Sequence, residues 1–246
     1  MSYFTERRSV RRFQDKHIDS QLLRSIVAQA VKAPTTGNMQ LYSIIASRKG
    51  ESRKPLEALH FNQPAATGAD VLLTVCADFG RFTRWCEVSD AVPGYDNFLS
   101  LTSAMADALI VAQQIVTVAE MNGLGTCYLG TVTYNAAEIA EALHLPRLTM
   151  PVACVAVGYP DGDGEETERL DVGAVLYEER YPELADDDIR RMYRPKDDYP
   201  ANRKFVEENG KQTLAQVFTD VRYTREMNEQ MSRRLMDFLR VQGFMD

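Results

Sequence analysis

Nine residues near the N-terminus, TERRSVRRF (5–13), place four arginines within six positions of a chain whose formal net charge is −7. A guanidinium offers phosphate two parallel N–H donors, a grip that an ammonium cannot reproduce. Taken alone, such a run reads as a solvated basic segment. Other segments add donors of different kinds: the hydroxyls and amides of PTTGNMQ (34–40), the amides of FNQP (61–64), and the glycine-bounded GLGTCYLG (123–130). Together they supply a charged cradle for a phosphate, donors for a polyol or a heterocycle edge, and backbone that a flat ring can approach. Those are the demands of a flavin mononucleotide.

Competing chemistries lack their residues. Gly123, Gly125 and Gly130 have the spacing GxGxxxxG rather than GxGxxG, and they flank a short strand instead of opening a helix. No GxxxxGK[ST] is present, and no serine stands in a nucleophile elbow. His17, His60 and His144 are scattered, and Cys76, Cys86, Cys127 and Cys154 form no CxxC, so no metal site is expected. The cysteines read as small core hydrophobes. A pI near 5.1 sets the whole molecule against nucleic-acid phosphate and anionic membrane, which leaves small anions as partners for a local cationic cluster. The apolar stretch 99–121 carries Asp107, Gln113, Gln114 and Glu120, costly in a bilayer, and reads as a buried helix. The first residues lack the apolar core of a secretory signal, so a cytoplasmic location is expected.

The elements that position these segments follow from patterning. Asp19 or Ser20 caps a helix with Leu22, Leu23, Ile26, Val27, Ala30 and Val31 on one face, ended by Pro34. Residues 42–46 have strand character, and the continuous apolar runs 69–78 and 150–160 read as strands buried on both faces. Between them lies a helix from Asn97 to Asn122, stopped by Gly123, and a short strand within 124–135. Asn135 and Glu138 have the spacing of a capping box for a helix through Leu143. After the acidic loop DGDGEETER, residues 172–181 are expected to be extended, and a long helix is expected over 212–241. Helices on both faces of a mixed sheet result. The C-terminal helix carries Leu214, Val217, Phe218, Val221, Met231, Leu235, Phe238 and Leu239, enough apolar surface to require a partner, hence a homodimer.

RRSVRRF, APTTGNMQ, FNQP, GLGTCYLG and VAVGYP occur in the order and approximate spacing of the nitroreductase superfamily, and NQP, CADFGR and FLRVQGF are similar to its oxygen-insensitive and NADPH-linked flavin oxidoreductase branch. The resemblance spans nearly the whole chain. It implies an α+β fold, a three-layer α/β/α sandwich, with residues 1–181 as FMN-binding core and 182–246 as a helical extension wrapping the partner subunit. It also implies noncovalent FMN at the interface of a homodimer, and ping-pong transfer from NADPH or NADH to nitroaromatics, quinones or free flavin, with dehalogenation, flavin fragmentation or flavin carriage as other uses of the same scaffold.

Matched position by position, Arg7, Arg8 and Ser9 contact phosphate and ribityl. Arg11 supports the charge that develops at flavin N1 and O2, so no side chain acts as a catalytic acid, base or nucleophile. Thr35, Thr36, Gly37 and Asn38 form the second FMN segment, and Gln63 meets the pyrimidine edge. Tyr128, Leu129, Gly130 and Thr131 pass beneath the ring. Arg169 closes on the phosphate, and Arg203, Lys204 and Lys211 are the candidates for the nicotinamide donor. Three positions depart from the family pattern: Thr131 replaces a frequent glycine, Thr133 an arginine, and Thr167 a lysine.

Overall fold

A computed structural model describes residues 3–164 and 166–245. One helical turn, α1 (Tyr3–Glu6), precedes the arginine segment, and α2 (Ser20–Ala30) follows it. Asp19 caps α2, its carboxylate accepting from Gln21 N at 2.7 Å and Leu22 N at 3.3 Å, so the turn begins where the sequence places it. Strand β1 (Tyr42–Arg48) then leads through α3 (Lys54–Leu59) and α4 (Pro64–Gly68) to β2 (Val71–Asp78). Helices α5 (Gly80–Val88) and α6 (Phe98–Met121), strand β3 (Gly125–Tyr128), helix α7 (Ala136–Ala142) and strand β4 (Thr149–Gly158) complete the sandwich.

Among the described residues the strands form one sheet in the order β1-β2-β4-β3. The two continuous apolar runs, β2 and β4, are its centre and are buried along their whole length. Side-chain alternation sorts them between two layers. Val71, Leu73, Val155 and Val157 join α2 and α6 in one core, whereas Leu72, Cys154 and Ala156 meet Leu56, Ala65 and Ile139 of α3, α4 and α7 in the other. Helix α6 has the length and hydropathy to cross a bilayer, yet its buried face, with Leu101, Ala108, Val111 and Ile115, belongs to the first core.

Every described pairing is antiparallel, which corrects the expectation of a mixed sheet. The chain reverses through α3 and α4 between β1 and β2, and through α7 between β3 and β4. Four cysteines, Cys76, Cys86, Cys127 and Cys154, are free thiols buried within this structure.

The chain divides into two compact units, Met1–Glu165 with Arg233–Asp246, and Glu166–Ser232. The second unit contains α8 (Asp186–Asp197), α9 (Pro200–Glu208), α10 (Leu214–Val217) and the start of α11 (Arg225–Gln242). The single helix expected over 212–241 is thus broken. Thr213 caps α10, a wide turn spans Phe218–Arg222, Tyr223 leaves helical geometry at φ −134° and ψ 57°, and Thr224 Oγ1 accepts from Met227 N to start α11. Local hydroxyl bonds compete with helix continuation here. Residues 172–181 are not extended either: Asp171 Oδ1 accepts from Gly173 N at 2.8 Å and winds Val172–Ala174 into a tight turn. Residues 233–245 return apolar surface to the first core through Phe238, Leu239 and Phe244.

The arginine segment lies along the free edge of β3. Val10 N donates to Thr126 O at 2.9 Å, Gln14 N to Tyr159 O at 2.9 Å, and Asp161 N to Arg12 O at 3.0 Å. This close approach requires glycine on the sheet. A Cβ on Gly125 would stand 2.7 Å from the Val10 side chain, and one on Gly158 would stand 2.7 Å from Phe13 Cδ1. Gly158→Ala is therefore expected to cost about 1–3 kcal/mol, the range for overpacking a filled site. A urea midpoint equal to that of the unchanged protein would refute this packing argument.

Candidate functional site

Two acidic side chains of α6 hold the two ends of the candidate site. Asp107 is 1% exposed, and its Oδ1 accepts from Thr36 N and Thr36 Oγ1, both at 2.8 Å, while Oδ2 accepts from Leu41 N at 3.2 Å. The carboxylate thereby fixes both ends of the loop carrying Thr35, Thr36, Gly37 and Asn38. Within the loop Gly37, Asn38 and Gln40 all adopt positive φ, at 55°, 58° and 55°, and the two non-glycine residues store backbone strain that Asp107 holds in place.

Glu120 performs the same task for the arginine segment. Its carboxylate accepts from Tyr3 OH and from Thr126 Oγ1 and pairs with Arg7 Nε at 3.3 Å. Burial, with Glu120 adding to it, pushes the Tyr3 phenol up to about 12, so it stays a donor. Arg7 is thus held over β3, and its charge together with that of Arg11 opposes the burial that raises the Cys127 thiol.

Arg8 reaches the loop that follows β4. Its guanidinium donates to Gly164 O at 3.4 Å, and it lines a cavity of about 490 Å³ with Arg7, Glu120, Gly125 and Asp163. Ser9, Arg11 and Arg12 line a neighbouring space of about 270 Å³ with Asp161 and Asp163. A third cavity, about 580 Å³ between α7 and α11, shares no residue with either.

The remaining first-unit candidates meet at a stitched pair of turns. His60 Nδ1 lies 2.8 Å from Thr131 Oγ1, and Asn135 Nδ2 donates to Leu59 O at 2.6 Å. Gln63 caps α4 by position and its amide donates back to His60 O at 3.1 Å. The intervening Phe61 and Asn62 adopt φ of 56° and 49°. The Gln63 turn and the Tyr128–Thr131 segment are therefore one tied structure. This corrects the capping-box expectation, because Asn135 spends its side chain on Leu59 O and Glu138 pairs with Arg234.

A flat ring has access on the outer side of this structure. Nothing lies within 4 Å of where a side chain on Gly130 would begin, and Tyr128 is exposed. Leu129 is buried in the second core, and Thr131 is buried as well, at 8% exposure. The donor set of guanidinium groups, hydroxyls and amides suits a flavin mononucleotide, and the open glycine suits its ring.

Arg169, Arg203, Lys204 and Lys211 belong to the second unit. Arg169 donates to Thr167 Oγ1 at 2.6 Å and to Glu168 O at 2.9 Å, so the Thr167 that stands in place of a lysine orients this arginine. Arg203 pairs with Asp198, Lys204 with Glu208 and Lys211 with Asp220.

Asp107, Glu120, His60 and Asn135 were not among the site residues expected from the sequence. One signal for the first two was present: an acidic residue inside an apolar helix must find buried donors or face water. Among the described residues no group of three His, Cys, Asp or Glu is arranged to hold a metal ion.

Comparison with known proteins places these segments in a common frame. The profile of the Nitroreductase family matches residues 4–159. An FMN reductase (NADPH) of Bacillus subtilis is 27% identical over 242 residues, 96% of this chain and 94% of the relative. An FMN reductase [NAD(P)H] of the same organism is 30% identical over 211 residues, 85% of this chain and 84% of the relative. A solved structure from Bacteroides fragilis is 47% identical and superposes with a TM-score of 0.96 over 99% of both chains.

Asp107→Asn keeps the shape but turns an amide donor toward a backbone N–H, so a stability loss of about 1–3 kcal/mol is expected, with faster amide exchange over residues 35–41. Unchanged exchange there would contradict the role given to Asp107. Burial also pushes the His60 imidazole down to about 4 from its ordinary 6.5. The unfolded chain takes up a proton that the folded state refuses, so His60's contribution is full above pH 6.5 and is lost as pH falls toward 4. The urea midpoint of the unchanged protein should fall more over that interval than that of His60→Gln, and parallel curves would count against it.

Proposed function

The chain belongs to the nitroreductase family, and from that premise we propose an FMN-dependent NAD(P)H oxidoreductase that reduces nitroaromatics, quinones or free flavin in ping-pong turnover. The family match over residues 4–159 carries this reading, because it contains all four of the segments whose donors suit the cofactor. When bound, FMN supplies the hydride-accepting ring. The chain's own residues bind it, orient it and set its electrostatics.

In this reading Arg7, Arg8 and Ser9 bind the phosphate and ribityl chain, and Arg169 is a further candidate for the phosphate. Arg11 faces the electron-rich edge of the ring and stabilises the charge that builds there during hydride arrival. Thr35, Thr36, Gly37 and Asn38 line the second side, Gln63 reads the pyrimidine edge, and Tyr128–Thr131 form the floor. NADPH is the preferred donor, with Arg203, Lys204 and Lys211 available for its extra phosphate.

A homodimer is part of the proposal. The outward face of α6 presents Leu99, Leu109, Ile110 and Met121 with no charged side chain among them, since its two carboxylates point inward. An uncharged face that exposes these apolar side chains among Thr102, Gln113 and Gln114 favours association. Val172, Val175, Leu176 and Tyr181 in the second unit are also largely exposed and add apolar surface for association. A cytoplasmic location fits the four free thiols.

The purified protein is expected to be yellow, releasing FMN on denaturation; a colourless protein that ignores added FMN would defeat the proposal. Anaerobic mixing with NADPH should bleach it faster than NADH, and bleaching by neither would remove the oxidoreductase assignment. Arg8→Ala and Arg11→Ala should weaken FMN retention or turnover more than Arg12→Ala. Equal losses at all three positions would point to bulk charge instead of specific contacts.

A further inference from the structure

His60 is 0% exposed, a fully buried ionisable side chain with one polar contact among the described residues. Its Nδ1 lies 2.8 Å from Thr131 Oγ1, and its Nε2 has no hydrogen-bond partner among the described residues. The surroundings keep the ring neutral, so a single proton must sit on one of two nitrogens, and its choice dictates where the threonine proton goes.

If the proton were on Nε2, a buried N–H would be stranded, and the Thr131 hydroxyl would have to donate inward to Nδ1. If it is on Nδ1, the imidazole donates to Thr131 Oγ1, the stranded atom is only a lone pair, and the hydroxyl proton is released. Orphaned buried N–H groups are the rarer of the two in proteins. His60 takes up one side of Thr131 Oγ1, open space lies where a side chain on the adjacent Gly130 would begin, and Thr131 keeps 8% of its own surface exposed.

We propose that His60 is a positioning residue that donates from Nδ1 to Thr131 Oγ1 and so directs the Thr131 hydroxyl proton outward, to an acceptor on the bound flavin ring. The inference rests on the FMN reading given above. It assigns a use to the threonine that replaces a frequent glycine: a side-chain donor added to the floor, oriented from behind. Asn135, by holding Leu59 O, keeps the His60 turn against the Thr131 segment and so maintains the register of the pair. Because ring acceptors gain electron density on reduction, a donor aimed at them favours reduced over oxidised flavin. Its reach is that of one neutral hydrogen bond, strengthened by the histidine bond behind it.

The test uses the full-length protein. Nitrogen NMR of histidine-labelled protein, with and without FMN, reads the tautomer, with Nδ1 protonated and Nε2 bare as the expected result. Anaerobic titrations then give the dissociation constants of oxidised and reduced FMN. Thr131→Val should weaken reduced relative to oxidised FMN by roughly three- to tenfold, and Thr131→Ser should restore the ratio. His60→Leu should move the ratio in the same direction by less. Protonation at Nε2, a Thr131→Val ratio equal to that of the unchanged protein, or a folded His60→Leu with the original ratio would each overturn the inference. Failure of the unchanged protein to bind FMN at all would instead overturn the cofactor reading, and the tautomer measurement separates the two cases.

Discussion

The site depends on two carboxylates buried in one apolar helix. Asp107 and Glu120 point from different faces of α6, and at 1.5 Å per residue they sit about 20 Å apart along its axis. Each gathers donors from chain segments distant in sequence: Thr36 and Leu41 at one, Tyr3, Arg7 and Thr126 at the other. A buried carboxylate without such donors would be expensive, so the helix enforces the folding of both segments as a condition of its own burial. The stiffest element of the first core thereby becomes the ruler that sets the spacing between the arginine cradle and the hydroxyl loop.

That arrangement revises the meaning of the arginine cluster. Four cations in six positions suggest a strongly positive socket, yet Arg7 is held by Glu120, and Asp161 and Asp163 border the space lined by Arg11 and Arg12. The cluster is a set of individually aimed groups embedded in an acidic protein. Aiming comes from the backbone bonds to Thr126 and Tyr159, which fix the segment against the edge of β3 and beyond the end of β4. A ligand phosphate competes with these carboxylates for guanidinium donors, and discrimination follows from geometry more than from net field.

Much of the framework was legible in the sequence because its signals are local. Continuous apolar runs marked β2 and β4, Asp19 marked the start of α2, and Asn97 and Asn122 bracketed α6. The arginine and glycine motifs located the segments that would carry chemistry. What remained hidden was long-range or contested. Nothing in the spacing of Asp107 and Thr36, or of His60 and Thr131, announces a bond across about 70 residues. Apolar periodicity over 212–241 likewise gives no warning of the break at Tyr223, where hydroxyls take over the backbone donors. Asn135 illustrates the same competition, since its spacing to Glu138 is that of a cap but its amide serves a more distant carbonyl.

The departures from the family pattern fall where such competition matters. At Thr167 the lost cation is offset in part by a hydroxyl that orients Arg169. At Thr131 a side chain enters a floor where glycine is frequent, and the structure supplies a buried histidine for it to bond. A β-branched residue is stiff about χ1, so once Oγ1 is fixed by His60 the methyl group is fixed as well. One change at position 131 and one support at position 60 thus make this segment stiffer and more polar together. If Tyr128–Thr131 form the floor of an FMN site as proposed, the pair bears on substrate range as well as on the energetics of the flavin.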